Sequence, residues 1–199
     1  MRISAGKYKG RLLKSPSGLG KKIRPSSARV KEAFFNIIGA HVRNAYFLDI
    51  FSGTGSIGLE ALSRGAERVF FVENNRLSLG ILRRNIKLTG VQAQVKILPL
   101  EVKRALYLLG KVKESFEVIY IDPPYSYPGR EIVKILNYIR QKDLVKPEGI
   151  VAVERGGARS SELLDSHGSE NELKRVPFSF WKKKIYGNTI LFFYREIKY

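Results

Sequence analysis

The sequence is first informative in what it lacks. Its 199 residues include no cysteine, two histidines and half as many acidic as basic residues. Without cysteine, disulfide bonds, zinc fingers and thiol catalysis are excluded. His41 and His167 have neither the His-x-x-His nor the His-Glu-x-x-His spacing of metal ligands. We therefore predict that the protein uses no metal ion.

Long hydrophobic runs are also missing. No stretch approaches the roughly eighteen apolar residues of a membrane-spanning helix, and the basic N-terminus has no apolar segment of the signal-peptide type. We therefore expect a cytoplasmic protein that does not bind membranes. A hydrophobic content of 44% in a chain of this length suits a single α/β domain.

The shortage of acidic residues leaves a formal net charge of +18. Such an excess needs a polyanionic partner, and nucleic acid is the first candidate because phosphate neutralisation gives a strong, salt-dependent attraction. Residues 1–31 hold ten Lys or Arg and no acidic residue. A basic run is usually only a solvated face, but a whole segment without acidic residues is harder to explain in that way. The candidate nucleic-acid contacts are Lys7, Lys9, Arg11, Arg24, Arg29, Lys182 and Lys183.

Glycine and proline divide the chain into two unequal parts. Residues 2–25 mix short apolar pieces with several glycines and prolines, which predicts a small β-hairpin or extended arm. From residue 27 to 38, apolar residues recur at helical spacing, with serine before them and Gly39 after them. We assign residues 1–25 to a basic arm and residues 26–199 to the main domain.

Strands and helices then alternate. Strands are predicted at 45–51, 68–72, 93–98, 117–121 and 149–154, and helices at 59–63, 76–88, 101–110 and 130–140. Strict alternation is typical of right-handed βαβ units and a parallel sheet. Two β-rich runs, 173–180 and 184–194, follow without room for a helix, and Gly187-Asn188 is a candidate turn. We predict a Rossmann-like α/β fold whose mostly parallel, seven-stranded sheet is closed by an antiparallel C-terminal hairpin.

A glycine loop follows the first predicted strand. Gly53, Gly55 and Gly58 satisfy G-x-G-x-x-G, and Glu73 lies twenty residues after Gly53, where an acid binds the ribose of a nucleoside cofactor. That pattern alone also fits NAD. Asp49, four residues before Gly53, would repel a pyrophosphate but attract a cation, which favours S-adenosylmethionine.

The predicted cofactor site combines the residues around the glycine loop with a second group at the third strand. At the third strand, Glu101 either accepts from the adenine amino group or simply opens the following helix. The candidate cofactor-binding residues are Asp49, Phe51, Ser52, Gly53, Thr54, Gly55, Glu73, Asn74, Leu100 and Glu101.

The fourth predicted strand ends in Asp122-Pro123-Pro124-Tyr125. Prolines keep the chain extended and leave carbonyl groups free to accept hydrogen bonds. The Asp122 carboxylate, the Pro123 carbonyl and the Tyr125 ring together suit a planar group that carries an NH2. The alternative is a strand followed by a proline-rich turn. We treat Asp122, Pro123, Pro124 and Tyr125 as the candidate catalytic residues.

The glycine loop and this motif together resemble class I S-adenosylmethionine-dependent methyltransferases that modify exocyclic amino groups. Four further segments are similar to the bacterial 16S ribosomal RNA guanine-N2 methyltransferase family: residues 24–27, 29–32, 58–66 and the pair Tyr186-Gly187. The family often has Asp where this chain has Ala28, and commonly Asp where it has Glu101.

The resemblance implies that the chain methylates a guanine N2 in 16S rRNA, either as naked RNA or within the small ribosomal subunit or its assembly intermediate, with S-adenosylmethionine as cofactor. We expect a monomer. The alternatives are an amino-group methyltransferase acting on another RNA or on DNA, at adenine N6 or cytosine N4, an NAD-dependent oxidoreductase, and a non-catalytic ribosome-binding protein.

Overall fold

The computed structural model describes residues 1–15, 28–156, 173 and 176–196. Its strands are β1 Tyr46–Ile50, β2 Arg68–Val72, β3 Val95–Leu98, β4 Phe116–Ile121, β5 Val145–Gly156, β6 Ser179–Tyr186 and β7 Thr189–Arg195. Its α-helices are α1 Ala28–Ile38, α2 Ser56–Ser63, α3 Arg76–Thr89, α4 Val102–Lys111 and α5 Gly129–Gln141, and short 3-10 helices lie at Gly39–Val42 and Gln92–Gln94.

All seven strands form one sheet in the order β3-β2-β1-β4-β5-β7-β6. The first five strands pair in parallel, while β7 is antiparallel to both β5 and β6. This confirms the predicted fold. The chain winds outward from β1 to β3 and then crosses to β4 on the other side, so a crevice opens between β1 and β4 at the carboxyl ends of the strands.

Both faces of the sheet are covered, which explains why its central strands are apolar runs without alternation. On one face α1, α2 and α3 pack around Phe34, Phe47 and Phe71. On the other face α4 and α5 pack around Leu106 and Ile135. None of the helices in the described ranges is long and apolar enough to cross a membrane.

The first fifteen residues form the predicted hairpin, which packs against the α1–α3 face. Arg2 bridges Leu12, the Ile3 amide donates to the Arg11 carbonyl, and the buried side chains of Ile3 and Leu13 join the core. The division at residue 25 stays a prediction, because residues 16–27, which include the predicted serine cap, lie outside the described part of the chain.

The positions of the two C-terminal strands were predicted wrongly. The structure ends β6 at Tyr186, turns at Gly187, whose φ is +57°, and returns as β7. The predicted runs left Lys182 and Lys183 between strands, whereas both lie inside β6. The charges of these lysines made β6 hard to recognise in the sequence. The Lys182 ammonium lies 5.3 Å from the Trp181 ring, as expected where the aliphatic part of a lysine side chain covers an edge strand.

Two other elements begin at different residues from those predicted. β5 begins at Val145, four residues before the predicted start, and its pairing with β4 shifts register between Phe116 and Val118. Glu148 within it has a φ of +61°, so the Pro147-Glu148 stretch interrupts a strand rather than preceding one. Helix α2 begins at Ser56, directly after the glycine loop.

Candidate active site

Seven of the ten predicted cofactor-binding residues and all four predicted catalytic residues line one cavity. It has a volume of about 830 Å³ and lies at the carboxyl edge of the sheet, where the loops after β1, β2 and β4, the end of β5 and the β6–β7 turn converge. Its lining includes Asp49, Phe51, Ser52, Gly53, Thr54, Glu73 and Asn74 on one side and Asp122, Pro123, Pro124 and Tyr125 on the other.

The glycine loop turns sharply between β1 and α2. Phe51, Gly53 and Gly55 all have positive φ, at +62°, +54° and +80°. A Cβ at Gly55 would lie 2.3 Å from a methyl carbon of Leu82, so glycine is required there by both conformation and space. Buried Asn85 donates to the Thr54 carbonyl and fixes the loop against α3.

Glu73 holds the loop from the neighbouring strand. Its carboxylate accepts hydrogen bonds from the backbone amides of Gly53 at 2.8 Å, Asn74 at 2.9 Å and Asn75 at 2.8 Å. A carboxylate offers about four acceptor positions. Glu73 thus fixes the glycine loop and still lines the cavity, where it can accept from a ribose hydroxyl.

Asp49 lies below the loop and is almost fully buried. Its carboxylate accepts the Gly58 amide at 3.0 Å, at the start of α2. Burial raises the pKa of Asp49 to about 8, against the opposing effect of the Gly58 hydrogen bond, and repulsion from Glu73 adds to the rise. A buried carboxylate that is costly to ionise is well suited to a ligand that brings positive charge.

A smaller cavity of about 160 Å³ adjoins the larger one between the loops after β2 and β3. Leu100 and Glu101 line it, together with Phe51 and Tyr127, whose rings meet edge to face at 5.0 Å. Glu101 precedes α4 but makes no side-chain capping hydrogen bond. The cavity suits a flat, partly apolar group such as a nucleoside base.

The Asp122–Tyr125 motif is held between β1 and β5. The Asp122 amide donates to the Ile50 carbonyl at 3.2 Å, which extends the β1–β4 pairing to the motif. The Tyr125 ring is 58% exposed and lies directly over Gly156, where a Cβ would come within 1.4 Å of the ring. Arg155 donates to the Tyr127 carbonyl at 2.8 Å and fixes the end of this loop.

Several cavity residues were not predicted from the sequence. Tyr120 and Glu154 are both buried, and the Tyr120 hydroxyl donates to the Glu154 carboxylate. Burial raises the pKa of Tyr120 well above its usual value, and the nearby Glu154 carboxylate raises it further. Asn188 and Thr189 bring the β6–β7 turn to the same cavity. Further unpredicted lining residues are Ser56, Ile57, Asn75, Ser78 and Tyr127.

One sequence signal could have identified Glu154. It ends an apolar run at the carboxyl end of a parallel strand, as Asp49, Glu73 and Asp122 do, and such ends meet at one edge of a sheet. The positions of Tyr120, inside a buried strand, and of the β6–β7 turn have no comparable signal.

The predicted basic contacts lie in separate places. Lys7 and Lys9 are exposed at the hairpin tip, where the Lys7 amide donates to the Ser63 carbonyl at the end of α2. Arg11 is exposed too and donates to the Leu88 carbonyl near the end of α3. Both helices begin at the cavity and run away from it, so this tip lies toward the opposite edge of the sheet.

The remaining basic candidates are spread along the chain. Arg29 is exposed in the first turn of α1, whereas Lys182 and Lys183 are half-buried in β6. Arg24 lies outside the described residues. These side chains therefore do not form one compact patch with Lys7 and Lys9.

The sheet order and the position of the site define the class of protein. A glycine loop after β1 and the Asp122–Tyr125 motif after β4, on a sheet closed by an antiparallel hairpin, give this protein the class I methyltransferase fold. The family model described as conserved hypothetical protein 95 matches residues 1–195, and the chain belongs to that family.

Its relatives carry methyltransferase names. The chain is 30% identical to the Bacillus subtilis (strain 168) protein "Putative rRNA methyltransferase YlbH", over 98% of this chain and 99% of the relative. It is 31% identical to Ribosomal RNA small subunit methyltransferase D of Haemophilus influenzae, over 77% and 78%. The solved structure of yhhF from Escherichia coli has a TM-score of 0.78 at 23% identity, with coverage of 100% and 99%, and shows the same fold.

Proposed function

We propose that this protein transfers the methyl group of S-adenosylmethionine to the exocyclic N2 amino group of a guanine in 16S rRNA of the small ribosomal subunit. The observation that carries the proposal is that the predicted cofactor side and the Asp122–Tyr125 motif line the same cavity. The relative named small subunit methyltransferase D supports the choice of substrate. The choice of guanine rests on the family resemblance.

The cofactor side fits S-adenosylmethionine in charge and shape. Asp49 would face its positive charge, Glu73 would accept from its ribose hydroxyls, and Leu100 and Glu101 would border its adenine. When bound, this cofactor supplies an electrophilic methyl group on a sulfonium. Asp49 favours such a cation because ionisation of its buried carboxyl is otherwise unfavourable.

The acceptor side orients the amino group. The Asp122 carboxylate and the Pro123 carbonyl would each accept one N–H, which turns the nitrogen lone pair toward the methyl group, and Tyr125 would stack on the base. Orientation of this kind contributes about 7 to 11 kcal/mol to lowering a barrier. A general base contributes about 10²- to 10⁴-fold in rate, so we assign Asp122 first to orientation and second to accepting the proton.

The RNA must present its target base out of any stack. Unstacking costs a few kcal/mol and costs least in a loop, which favours a base in a structured RNA loop. We propose that residues 1–25 and the exposed basic side chains bind the surrounding phosphates. The net charge of +18 supports this assignment.

The proposal is tested by incubating the protein with labelled S-adenosylmethionine and small subunits from a strain that lacks this modification. Parallel reactions contain naked 16S rRNA or duplex DNA, and each product is digested and identified by nucleoside mass spectrometry. Labelled N2-methylguanosine in the RNA is expected. Label in N6-methyladenosine, or in DNA alone, would overturn the proposal.

A further inference from the structure

Glu154 and Tyr120 form a buried pair on the acceptor side of the cavity. Glu154 is 6% exposed and Tyr120 is fully buried, and both line the same space as Asp122. In the β4–β5 pairing, Ile121 lies beside Val153. The next position along each strand brings Asp122 next to Glu154, so two carboxylates border the place where the acceptor base enters.

The contacts proposed for Asp122, Pro123 and Tyr125 do not select guanine. A carboxylate, a carbonyl and a ring recognise an amino group on any flat base, and adenine and cytosine carry one as well. The bases differ at the neighbouring ring nitrogen. Guanine N1 carries a hydrogen, whereas adenine N1 and cytosine N3 present lone pairs beside their amino groups. An acceptor-only group at this position would therefore tell guanine from the other two.

A carboxyl oxygen that carries no proton is such a group, because it accepts hydrogen bonds and donates none. The Tyr120 hydroxyl donates to Glu154 and holds its carboxylate in one orientation. The raised pKa of Tyr120 keeps that hydroxyl protonated, so it remains a donor. A fixed carboxylate gains a hydrogen bond from guanine N1 and faces repulsion from a ring nitrogen lone pair.

We propose that Glu154, oriented by Tyr120, accepts the N1–H of the target guanine and thereby selects guanine over adenine and cytosine. This inference rests on the proposed function, because it concerns the base in the acceptor site. It assigns Glu154 a role in specificity and Tyr120 a positioning role. Amino-group orientation is left to Asp122 and Pro123.

The test compares two RNA substrates that differ at one base. After the methylated position has been located, RNA is prepared with either guanine or 2-aminopurine there and assembled into small subunits where the reaction requires them. 2-Aminopurine keeps the amino group on C2 but presents a lone pair at N1. The wild-type protein should prefer guanine by about 10- to 100-fold in kcat/KM, the size expected for one charge-assisted hydrogen bond.

The Glu154→Gln variant should lose or reverse this preference. With its oxygen accepting from Tyr120, the Gln amide presents its NH2 to the base, where it can donate to the N1 lone pair of 2-aminopurine but cannot accept the N1–H of guanine. Any contact with guanine O6 is the same in both proteins, so the change in ratio reports on N1. Tyr120→Phe should also lower the ratio of kcat/KM for guanine RNA to that for 2-aminopurine RNA, without changing affinity for S-adenosylmethionine.

Glu67→Gln is the matched control, because Glu67 is exposed and its side chain lies outside the cavity; it should keep the wild-type ratio. A Glu154→Gln protein that binds S-adenosylmethionine normally and keeps the wild-type ratio would overturn the inference. If that variant does not fold, an unchanged ratio in Tyr120→Phe overturns it. Failure of the wild-type protein to methylate the guanine substrate would instead refute the proposed function.

Discussion

Four carboxylates line the cavity, and each lies in or directly after the last three residues of a parallel strand. Asp49, Glu73, Asp122 and Glu154 lie at the ends of β1, β2, β4 and β5, and their environments differ. Asp49 is buried beneath the glycine loop, Glu73 is bonded to three amides, and Glu154 accepts from Tyr120. On the proposed function, the same residue type would serve a cation, a loop and a base.

Replacing Asp122 by alanine should slow methyl transfer by orders of magnitude, because the amino group then loses one of its two acceptors and turns freely. Affinity for S-adenosylmethionine should change little, since Asp122 lies on the acceptor side. Single-turnover kinetics and calorimetry measure the two effects separately. Asp143→Asn, at an exposed position with positive φ, is the control. A variant that keeps more than about a tenth of the wild-type rate contradicts this role.

Asp49 should make cofactor binding depend on pH. Its pKa of about 8 means that the carboxyl of the free protein is largely protonated at pH 7, whereas a bound cation favours the ionised form. Binding therefore releases a proton, and affinity should rise between pH 6 and 7.5 by up to about tenfold per unit. Calorimetry across this range measures the slope.

The Asp49→Asn variant supplies the comparison, because it retains only the titration of the cofactor itself. Its affinity should be lower at pH 7.5 and its slope flatter than that of the wild-type protein. Equal slopes in the two proteins would show that Asp49 does not face the positive charge.

At the scale of elements, the site depends on close contacts between strand ends and loops. Gly156, the last residue of β5, leaves space for the Tyr125 ring of the acceptor loop. Replacing Gly156 by alanine would displace that ring from its position over the strand. We expect kcat/KM for RNA to fall at least about tenfold while cofactor affinity is unchanged.

Gly80→Ala is the matched control for this substitution. Gly80 is exposed within α3 and a Cβ there meets no atom within 4 Å, so alanine should be neutral or stabilising by about 0.5 to 1 kcal/mol. Thermal unfolding and steady-state kinetics of both variants test these expectations of stability and kcat/KM. Wild-type activity in Gly156→Ala would mean that the ring position is unimportant.

A buried ion pair joins the arm to two helices. Glu60 of α2 is fully buried and accepts from Ser4 and Ala5 of the arm, and it pairs with Lys31 of α1 at 3.0 Å. Burial raises the pKa of Glu60, but the hydrogen bonds from Ser4 and the attraction of Lys31 outweigh it and leave the pKa lowered. Arg64 adds a second pair at 2.9 Å.

Glu60→Gln should lower the free energy of unfolding by about 3 to 5 kcal/mol, because Lys31 would stay buried without a counter-charge. Since the folded pKa is lowered, the stability from Glu60 is present above its unfolded value of 4.5 and lost as pH falls through the folded value. Urea unfolding at pH 7 and pH 3 should therefore show a smaller difference between variant and wild type at pH 3. A Glu60→Gln protein as stable as one carrying Glu32→Gln, at an exposed position of α1, would contradict this.

The sequence predicted most elements and three of the four carboxylates, because apolar runs and strand ends are local patterns. Glu154 is not among the predicted site residues, although it ends the predicted strand 149–154. The contact between Gly156 and Tyr125 joins distant parts of the chain, and no local pattern marks it. Strand β6 was misplaced because its lysines masked a strand that tertiary pairing with β7 stabilises.

At the scale of the whole molecule, we propose that the positive charge holds RNA. Lys7 and Lys9 are exposed at the hairpin tip, and replacing both by glutamine should weaken RNA binding. The slope of log affinity against log salt concentration should also become shallower, by about 0.7 to 0.9 for each phosphate contact that is lost. Filter binding over a range of salt concentrations measures both. Cofactor affinity should not change.

Lys111 and Lys142 provide a control of equal charge. They are exposed on the side of α4 and α5, the other face of the sheet from the arm. Their double glutamine variant should bind RNA as the wild type does. Equal losses of RNA affinity in the two variants would mean that the charge attracts RNA without a defined binding surface. Unchanged RNA affinity in the Lys7 and Lys9 variant would mean that the arm only covers the core.

We propose that one cavity brings a methyl donor and a guanine amino group into line. The most direct measurement is a crystal structure of the protein with a non-reactive S-adenosylmethionine analogue and the RNA segment that carries the target. We predict the guanine N2 between the Asp122 carboxylate and the Pro123 carbonyl, about 3 to 3.5 Å from the position of the methyl carbon. A target base outside this cavity, or an analogue bound away from Asp49 and Glu73, would contradict the account.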